Sequence, residues 1–495
     1  MIIIHALQFI LACLIRIIPL LLAILLNLLA IACIRTLRMP VKKADYKPQP
    51  DPKRENAYAE KLSRMVQMET ISNPDHCDVE KFRKFHALLE ELFPRVFATL
   101  EKIDLDGNLL LKWKGKSDRN PILLMSHMDV VEASGQWTHA PFSGDIADGK
   151  VWGRGAGDTK CSVMAFYQAV EELLEQGYEP ACDIYLGSSC TEEVGGDGAP
   201  KIVQWFKDHN VHLAMLSDEG GGIIEEPIGG IKGCFAMIGV FEKGVGNLRF
   251  VARSQGGHAS APKKNTPLAR IAKFIARVEK KHPFKSQFSP EVIEMFSRLA
   301  PYAGFGMRLV FGNLWLFKPV LLKLMPIISA QGAAMLHTTI AFTMAKGSDG
   351  MNVIPQEASA IANLRFIPHQ GAKESYELIS SLAAQYGLET EIIMLGEPSK
   401  AVDINAPAFK LTEKAISACF PGAGCSPYVV TGATDARFYS EVCDNCIRFS
   451  PVIFGPEQMK GMHGLDETIE TNCLPGAVDY YTYLIRAQED HPLEQ

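Results

Sequence analysis

The most extreme feature of the hydrophobic pattern lies at the start of the chain. Ile17 to Ile34 is an uncharged run of eighteen residues, preceded by apolar Ala6–Ile15 and a lone Arg16. That length can cross a bilayer, with Arg16 able to snorkel to the interface. The run has no polar face, which a core helix of a globular domain would show. Residues 1–36 therefore read as a single-pass transmembrane or signal-anchor segment. A cleaved signal peptide or a lipid-modified Cys33 is the alternative use of the same run. Arg35, Arg38, Lys42 and Lys43 follow the run and little positive charge precedes it, so the positive-inside rule favours a cytoplasmic body, with orientation left open.

Beyond the run the texture changes twice. Residues 37–55 are rich in proline and charge and read as an extended linker. Apolar strand-like runs then alternate with amphipathic helical segments, the mark of an α/β layered fold. Pro121–Ser126, Asp183–Ser189 and His212–Ser217 read as buried strands, and Lys160–Gln176 as a helix closed by Gly177. From Gly246 a β-α-β-β-α-β order follows: Asn247–Val251, Pro267–Lys281, His337–Met344, Ser359–Phe366, Glu374–Gln385 and Glu389–Leu395. That order is the ferredoxin-like unit. The expected division is a main domain in two parts, 56–242 and 401–495, interrupted by a ferredoxin-like domain, the lid, at 243–400. Phe288–Gln331, rich in Phe, Leu, Met and Trp, is too long for a simple connection. It reads as extra helical packing, or as an apolar wall facing a greasy substrate or the membrane surface.

At 495 residues, 47% hydrophobic and 21% charged, the chain can form two sizeable cores. A net charge of −6, without a basic stripe, sets nucleic acid aside. Twelve scattered cysteines lack the density of a disulfide framework. The chain has no Asn-x-Ser/Thr acceptor site and no G-x-S-x-G elbow.

The candidate chemistry is acidic and imidazole-based. His127 and Asp129 end a strand as SHMDVV, and Asp158 follows three glycines in WGRGAGDTK. The glycines miss the dinucleotide spacing, and an acid stands where a phosphate would sit. Glu192 and Glu193 follow another strand in TEEVGG, Asp218 and Glu219 end a third in LSDEGGG, and His463 lies in MHGLDE. A strand end followed by a Gly-rich loop is a poor place for a merely solvated acid pair. Adjacent acids there can divide labour, one binding metal and one accepting a proton from water. Three carboxylates and two histidines form the N/O ligand set of a two-zinc centre with one shared carboxylate.

The ordered motifs SHMDVV, WGRGAGDTK, CTEEVGG, SDEGG, GGHASAP, NVIP and MHGLDE resemble the M20 metallopeptidase and aminoacylase family over about residues 56–487. Within it they are most like the branch of N-fatty-acyl-amino-acid synthase/hydrolases and carboxypeptidase S. The resemblance implies two Zn2+ per subunit. His127, Asp158 and Asp218 would hold one, with Glu219 as the alternative to Asp218. Asp158 would bridge to the second, held also by Glu193 and His463. Asp129 would orient His127, and Glu192 would be the general base. His258 would reach an active site, that of a partner subunit in a homodimer formed through the lid, and steady the oxyanion. Asn352 and Arg365 would contact a substrate carboxylate, and Gly432, Thr434 and Asp435 would line the pocket. Neither Cys161 nor Cys190 has the surroundings of a nucleophile.

The expected activity is hydrolysis of an amide beside a free carboxylate, in a small peptide or an N-acyl amino acid. The apolar insertion and the membrane helix favour a long acyl chain. A non-catalytic metal-binding or scaffold protein on the same fold is the other class, disfavoured because no ligand position is lost.

Overall fold

The computed structural model describes residues 2–74, 76–490 and 493. Its centre is an eight-stranded mixed sheet. From one edge to the other its strands are Glu101–Leu105, Asn108–Trp113, Cys182–Ser189, Ser117–His127, Met215–Glu225, Cys446–Phe454, Cys234–Glu242 and Gly424–Val430. The middle pairs, Cys182–Ser189 with Ser117–His127, that strand with Met215–Glu225, and Met215–Glu225 with Cys446–Phe454, are parallel. Parallel strands buried on both faces need continuous apolar runs, and every residue of Cys182–Ser189 is buried. Helices Pro52–Gln67, Cys161–Glu175 and Leu474–Asp490 cover one face. Gly198–Asp208 and the turn Asp435–Glu441 cover the other.

A second sheet has its own core and the antiparallel order Thr339–Lys346, Glu357–Phe366, Gly244–Arg253, Glu389–Leu395. With helices Pro267–Lys280 and Ala372–Ala384 it reproduces the expected β-α-β-β-α-β order. Its outward face carries ion pairs between Arg249 and Glu357 or Glu391. The long insertion forms four helices: Pro290–Leu299, Phe305–Phe311, Leu314–Ile328 and Ala330–Leu336. Their buried residues Val292, Met295, Phe296 and Leu336 join the core of the first sheet, which agrees with extra helical packing.

Element boundaries moved where tertiary contacts outweigh local pattern. The strand expected at His212–Ser217 runs instead over Met215–Glu225, because its continuation through the glycines pairs with Cys234–Glu242. The last part of the expected linker is helical from Pro52, with Asp51 capping the turn by accepting from the Arg54 amide. The rest is extended but docked. Ala44 and Tyr46 are buried, Cys234 N–H donates to the Ala44 carbonyl, and the Tyr46 ring meets Phe420 edge-on at 5.5 Å.

The N-terminal helix spans Ile2–Arg38, and its section Ile17–Arg38 is long and apolar enough to cross a membrane. The side chains of Ala6–Arg16, including the snorkelling expected of Arg16, lie outside the described residues.

Candidate active site

His127 is the last residue of its strand, and Glu192 and Glu193 follow the neighbouring strand by three or four positions. Both therefore emerge at the carboxyl edge of the parallel strands, where open α/β sheets bind ligands. Asp158 reaches the same place through WGRGAGD. Gly155, at φ +86°, leaves no room for a side chain, since a Cβ there would stand 2.7 Å from Val130 Cγ1.

The geometry centres on Asp158. Its Oδ1 lies 3.2 Å from His127 Nε2, and its Oδ2 lies 3.0 Å from His463 Nε2. That His463 nitrogen is also 3.0 Å from Glu193 Oε2. The ligand atoms of His127, Asp158 and Glu193 lie within 4.8 Å of one another, and so do those of His127, Glu192 and Glu219. Among the described residues these are the two groups able to hold a cation, and they share His127. Glu193 Oε1 is buried without a hydrogen-bond partner. A buried carboxylate oxygen in that state is costly unless a cation meets it. The donor set is therefore suited to metal.

Two expectations change. Asp218 does not join either group; Glu219 does. Successive strand residues face opposite sides, and Asp218 points away, its Oδ2 accepting from the Ala436 amide at 2.9 Å. The His127 ring is oriented by the backbone carbonyl of Asp129, 2.9 Å from Nδ1, whereas the Asp129 carboxylate stands 3.6 Å away. That carboxylate instead accepts from the amides of Glu192 and Glu193, both at 3.1 Å. Asp129 thus ties the two-acid turn to the histidine strand.

Glu467 ends the MHGLDE stretch, four residues after His463. It is fully buried, and its Oε1 accepts from the amides of Gly157 and Asp158 at 2.9 Å. Its Oε2 accepts from Arg154 Nη1 at 2.7 Å and the Gly155 amide at 3.1 Å. The loop that presents Asp158 is wound around this carboxylate. On the other side of the same turn, His463 takes φ +54°, a left-handed conformation uncommon for histidine. Asp466 clamps that turn by accepting from Thr138 N at 2.7 Å and Thr138 Oγ1 at 2.9 Å. An acid three or four residues after a candidate histidine was the only sequence signal for either role.

Electrostatics follow from crowding. Asp158 and Glu193 beside its ring raise the His463 pKa to about 10. Burial opposes charge on His127, but the hydrogen bond to Asp158 and the Asp129 charge raise its pKa well above the usual range. Burial pushes Glu192 and Glu219 well above ordinary carboxylates, and nearby acids add to it. The imidazole nitrogens that hold protons here are the ones that would ligate metal, so protons and cations compete for this site. Burial raises the thiols of Cys161 and Cys190, which suits neither to nucleophilic attack.

Of the substrate-contact candidates, Arg365 lies on the second sheet, whereas His258 and Asn352 lie at a separate two-stranded ribbon. His258 lies in this ribbon, Gly257–His258 against Val353–Ile354, and Asn352 directly precedes its second strand, with Ala259 N–H donating to the Asn352 carbonyl at 2.9 Å. Both are exposed, and His258 Nδ1 lies 2.7 Å from Ser260 Oγ. Among the described residues, no hydrogen bond or ion pair joins either to the His127–His463 group. Arg365 is half-buried, and after burial the nearby charge of Arg437 lowers its pKa. Arg437, in TGATDAR, passes over Gly195 beside the two-acid turn and is a cation that the sequence did not single out. Thr434 donates to the buried Glu242, and Asp435 accepts from Ser189, so that loop is built into the body, while Gly432 has open space beside it.

A parallel-centred α/β body with acids and histidines gathered at its strand ends defines the class: a peptidase or amidohydrolase with a candidate metal site. The Peptidase family M20/M25/M40 model matches residues 123–487, and the chain belongs to that family. It is 31% identical over 451 residues to a probable carboxypeptidase S-like 2 of Dictyostelium discoideum, covering 88% of this chain and 85% of that one. It is 31% identical over 443 residues to the N-fatty-acyl-amino acid synthase/hydrolase PM20D1 of Homo sapiens, covering 87% of each. Among solved structures, an M20 family metallo-carboxypeptidase, Sso-CP2 from Sulfolobus solfataricus, superimposes with a TM-score of 0.64 at 17% identity. That match covers 86% of this chain and 98% of the other, and the α/β fold is the M20 fold.

Replacing Glu467 by Gln is expected to destabilise the protein by about 3 kcal/mol, since Arg154 would be left buried without its counter-charge. Chemical denaturation measures this, and an unchanged midpoint would mean that the loop does not depend on Glu467.

Proposed function

We propose that this protein is a two-zinc hydrolase that cleaves an amide next to a free carboxylate, acting on a small peptide or an N-acyl amino acid. One observation carries the reading: the two oxygens of Asp158 each meet a different histidine, the shape of a carboxylate shared between two cations. His127 and Glu219 would complete one ligand set and Glu193 and His463 the other, with Asp158 common to both. When bound, the metal pair would polarise the scissile carbonyl and lower the pKa of the attacking water.

The chain's own residues do the rest. Glu192 takes the proton of the attacking water and returns it to the amine that leaves. Asp129 holds the Glu192–Glu193 turn so that one acid faces the reacting water and its neighbour the metal. Arg365 and Asn352 would bind the substrate carboxylate, and the adjacent charge of Arg437 favours an anion there. The second sheet serves as a lid, and His258, exposed on its ribbon, would act on the site of another copy in a homodimer. The N-terminal helix would anchor the body to a membrane as a single pass.

The names of the relatives favour carboxypeptidase or N-fatty-acyl amino acid chemistry, and a membrane anchor, which would keep the site near acyl lipids, favours the acyl substrate. Assaying an N-oleoyl amino acid against a Gly-Xaa dipeptide, with zinc supplied, decides between them. The acyl substrate is expected to turn over faster, and failure on both would reject the hydrolytic reading.

Glu192→Gln should retain both metals yet lose about two to four decades of kcat, the scale of a positioned base. Near-normal turnover would remove Glu192 from its role. Metal content separates the neighbouring acids: Glu219→Gln is expected to drop bound zinc, whereas Asp218→Asn retains it. The reverse pattern would return the ligand role to Asp218.

A further inference from the structure

The four-helix insertion leaves one surface unexplained by either core. In the helix Leu314–Ile328, Leu314, Leu321 and Met325 face inward. Its outward side carries Trp315, Val320, Leu324 and Ile327, all exposed, with Ile327 at 81%. An ordinary surface helix is polar on that side. Here Lys323 is the one charge on it, and Ala300 to Ile340 contains no Asp or Glu at all. The preceding helix, Phe305–Phe311, meets this one at 99°, with Phe305 also exposed.

This surface adjoins the N-terminal helix and is fixed to it. Asn313, buried at the bend, donates to Thr36 Oγ1 at 3.0 Å and the Ala32 carbonyl at 3.3 Å. Gly312 lies so close to Met39 that a Cβ would stand 2.5 Å from its Cε. Lys42 N–H donates to the Pro301 carbonyl at 3.0 Å, which closes the connection. The contact is made at the Ala32–Met39 end, where Arg35 and Arg38 finish the apolar stretch. A helix attached at that level, with a tryptophan at its start and lysines at its margin, has the features of one lying at a bilayer surface.

We propose that Phe305–Ile328 is a second membrane contact, an in-plane helical element whose apolar outer side is covered by phospholipid beside the N-terminal helix. This rests on the reading of that helix as a membrane anchor. Lipid is the occupant because the surface adjoins the exposed apolar surface of Ile17–Arg38, in which only Ala32 and Thr36 are buried, across a hydrogen-bonded junction. The lack of carboxylates suits anionic headgroups, and Lys323 can extend its ammonium to them while its stem stays in the apolar layer. Two contacts instead of one would hold the body at a set height and rotation, which a single helix on a free tether cannot do.

The test uses the full chain reconstituted in vesicles of phosphatidylcholine and phosphatidylglycerol with brominated acyl chains. The chain has five tryptophans, and Trp315→Phe isolates the contribution of this one by difference. Trp315 emission is expected to fall by about twofold or more in brominated vesicles relative to unbrominated ones, as for a side chain at the acyl boundary. Ile327→Trp in the Trp315→Phe background gives a second reporter, expected to be quenched likewise. Equal emission from both reporters in the two vesicle types would overturn the proposal. Blue-shifted emission without quenching would also overturn it, because another protein or a second copy would then cover the surface. Alkaline carbonate extraction reads the anchor separately: a chain retained by the vesicles with unquenched reporters leaves the anchor standing and removes this contact. None of these readouts depends on hydrolysis.

Discussion

Like charge held at close range is the constraint around which this protein is organised. Asp158, Glu192, Glu193 and Glu219 converge on two imidazoles at the edge of a buried sheet. Acids so placed repel one another and lose hydration, and such a cluster persists only where positive charge of fixed geometry answers it. His127 and His463 answer part of it from opposite ends of Asp158. The chemistry proposed for the site uses the same imbalance, because a centre that must attract cations is also one that can polarise an amide.

The scaffold bears the repulsion through two further carboxylates that face backbone rather than each other. Asp129 gathers the amides of Glu192 and Glu193, and Glu467 gathers those of Gly155, Gly157 and Asp158. Each buried charge is satisfied by N–H groups, and in the case of Glu467 by Arg154 as well. Loops from distant parts of the chain are thereby set relative to the sheet. The arrangement explains why short glycine-containing turns carry Asp158, Glu192 and Glu193, while Glu219 lies within a strand: such turns leave successive amides free to point at one acceptor.

Around this centre the chain is joined more tightly than a tethered domain would be. The segment after the N-terminal helix is buried at Ala44 and Tyr46, and Asn313 bonds to the helix backbone itself. The insertion thus contributes its inner side to the main core and is hydrogen-bonded to the end of the N-terminal helix, while its outer side stays apolar and exposed.

Much was legible in the sequence because it is local. Hydrophobic period and turn residues located two central strands closely and a third three residues early, along with the element order of the second domain and the helix closed by Gly177, which ends one residue earlier than expected. Acids and histidines beside glycines at or near the ends of apolar runs pointed to the cluster, because that juxtaposition is a local feature of the chain. Choices that depend on which way one residue faces were not legible. The pattern LSDEGGG offers Asp218 and Glu219 equally, and only the pairing of that strand turns Glu219 to the site. The composition of the insertion announced an apolar surface but not its neighbour. The sequence by itself determined the family and named a short set of acids and histidines, most of which the fold gathers at one place. Tertiary structure alone decided which acid meets which histidine, and which buried carboxylates hold the loops in place. Those outcomes depend on backbone amides and strand faces brought together from hundreds of residues apart, and no local pattern encodes them.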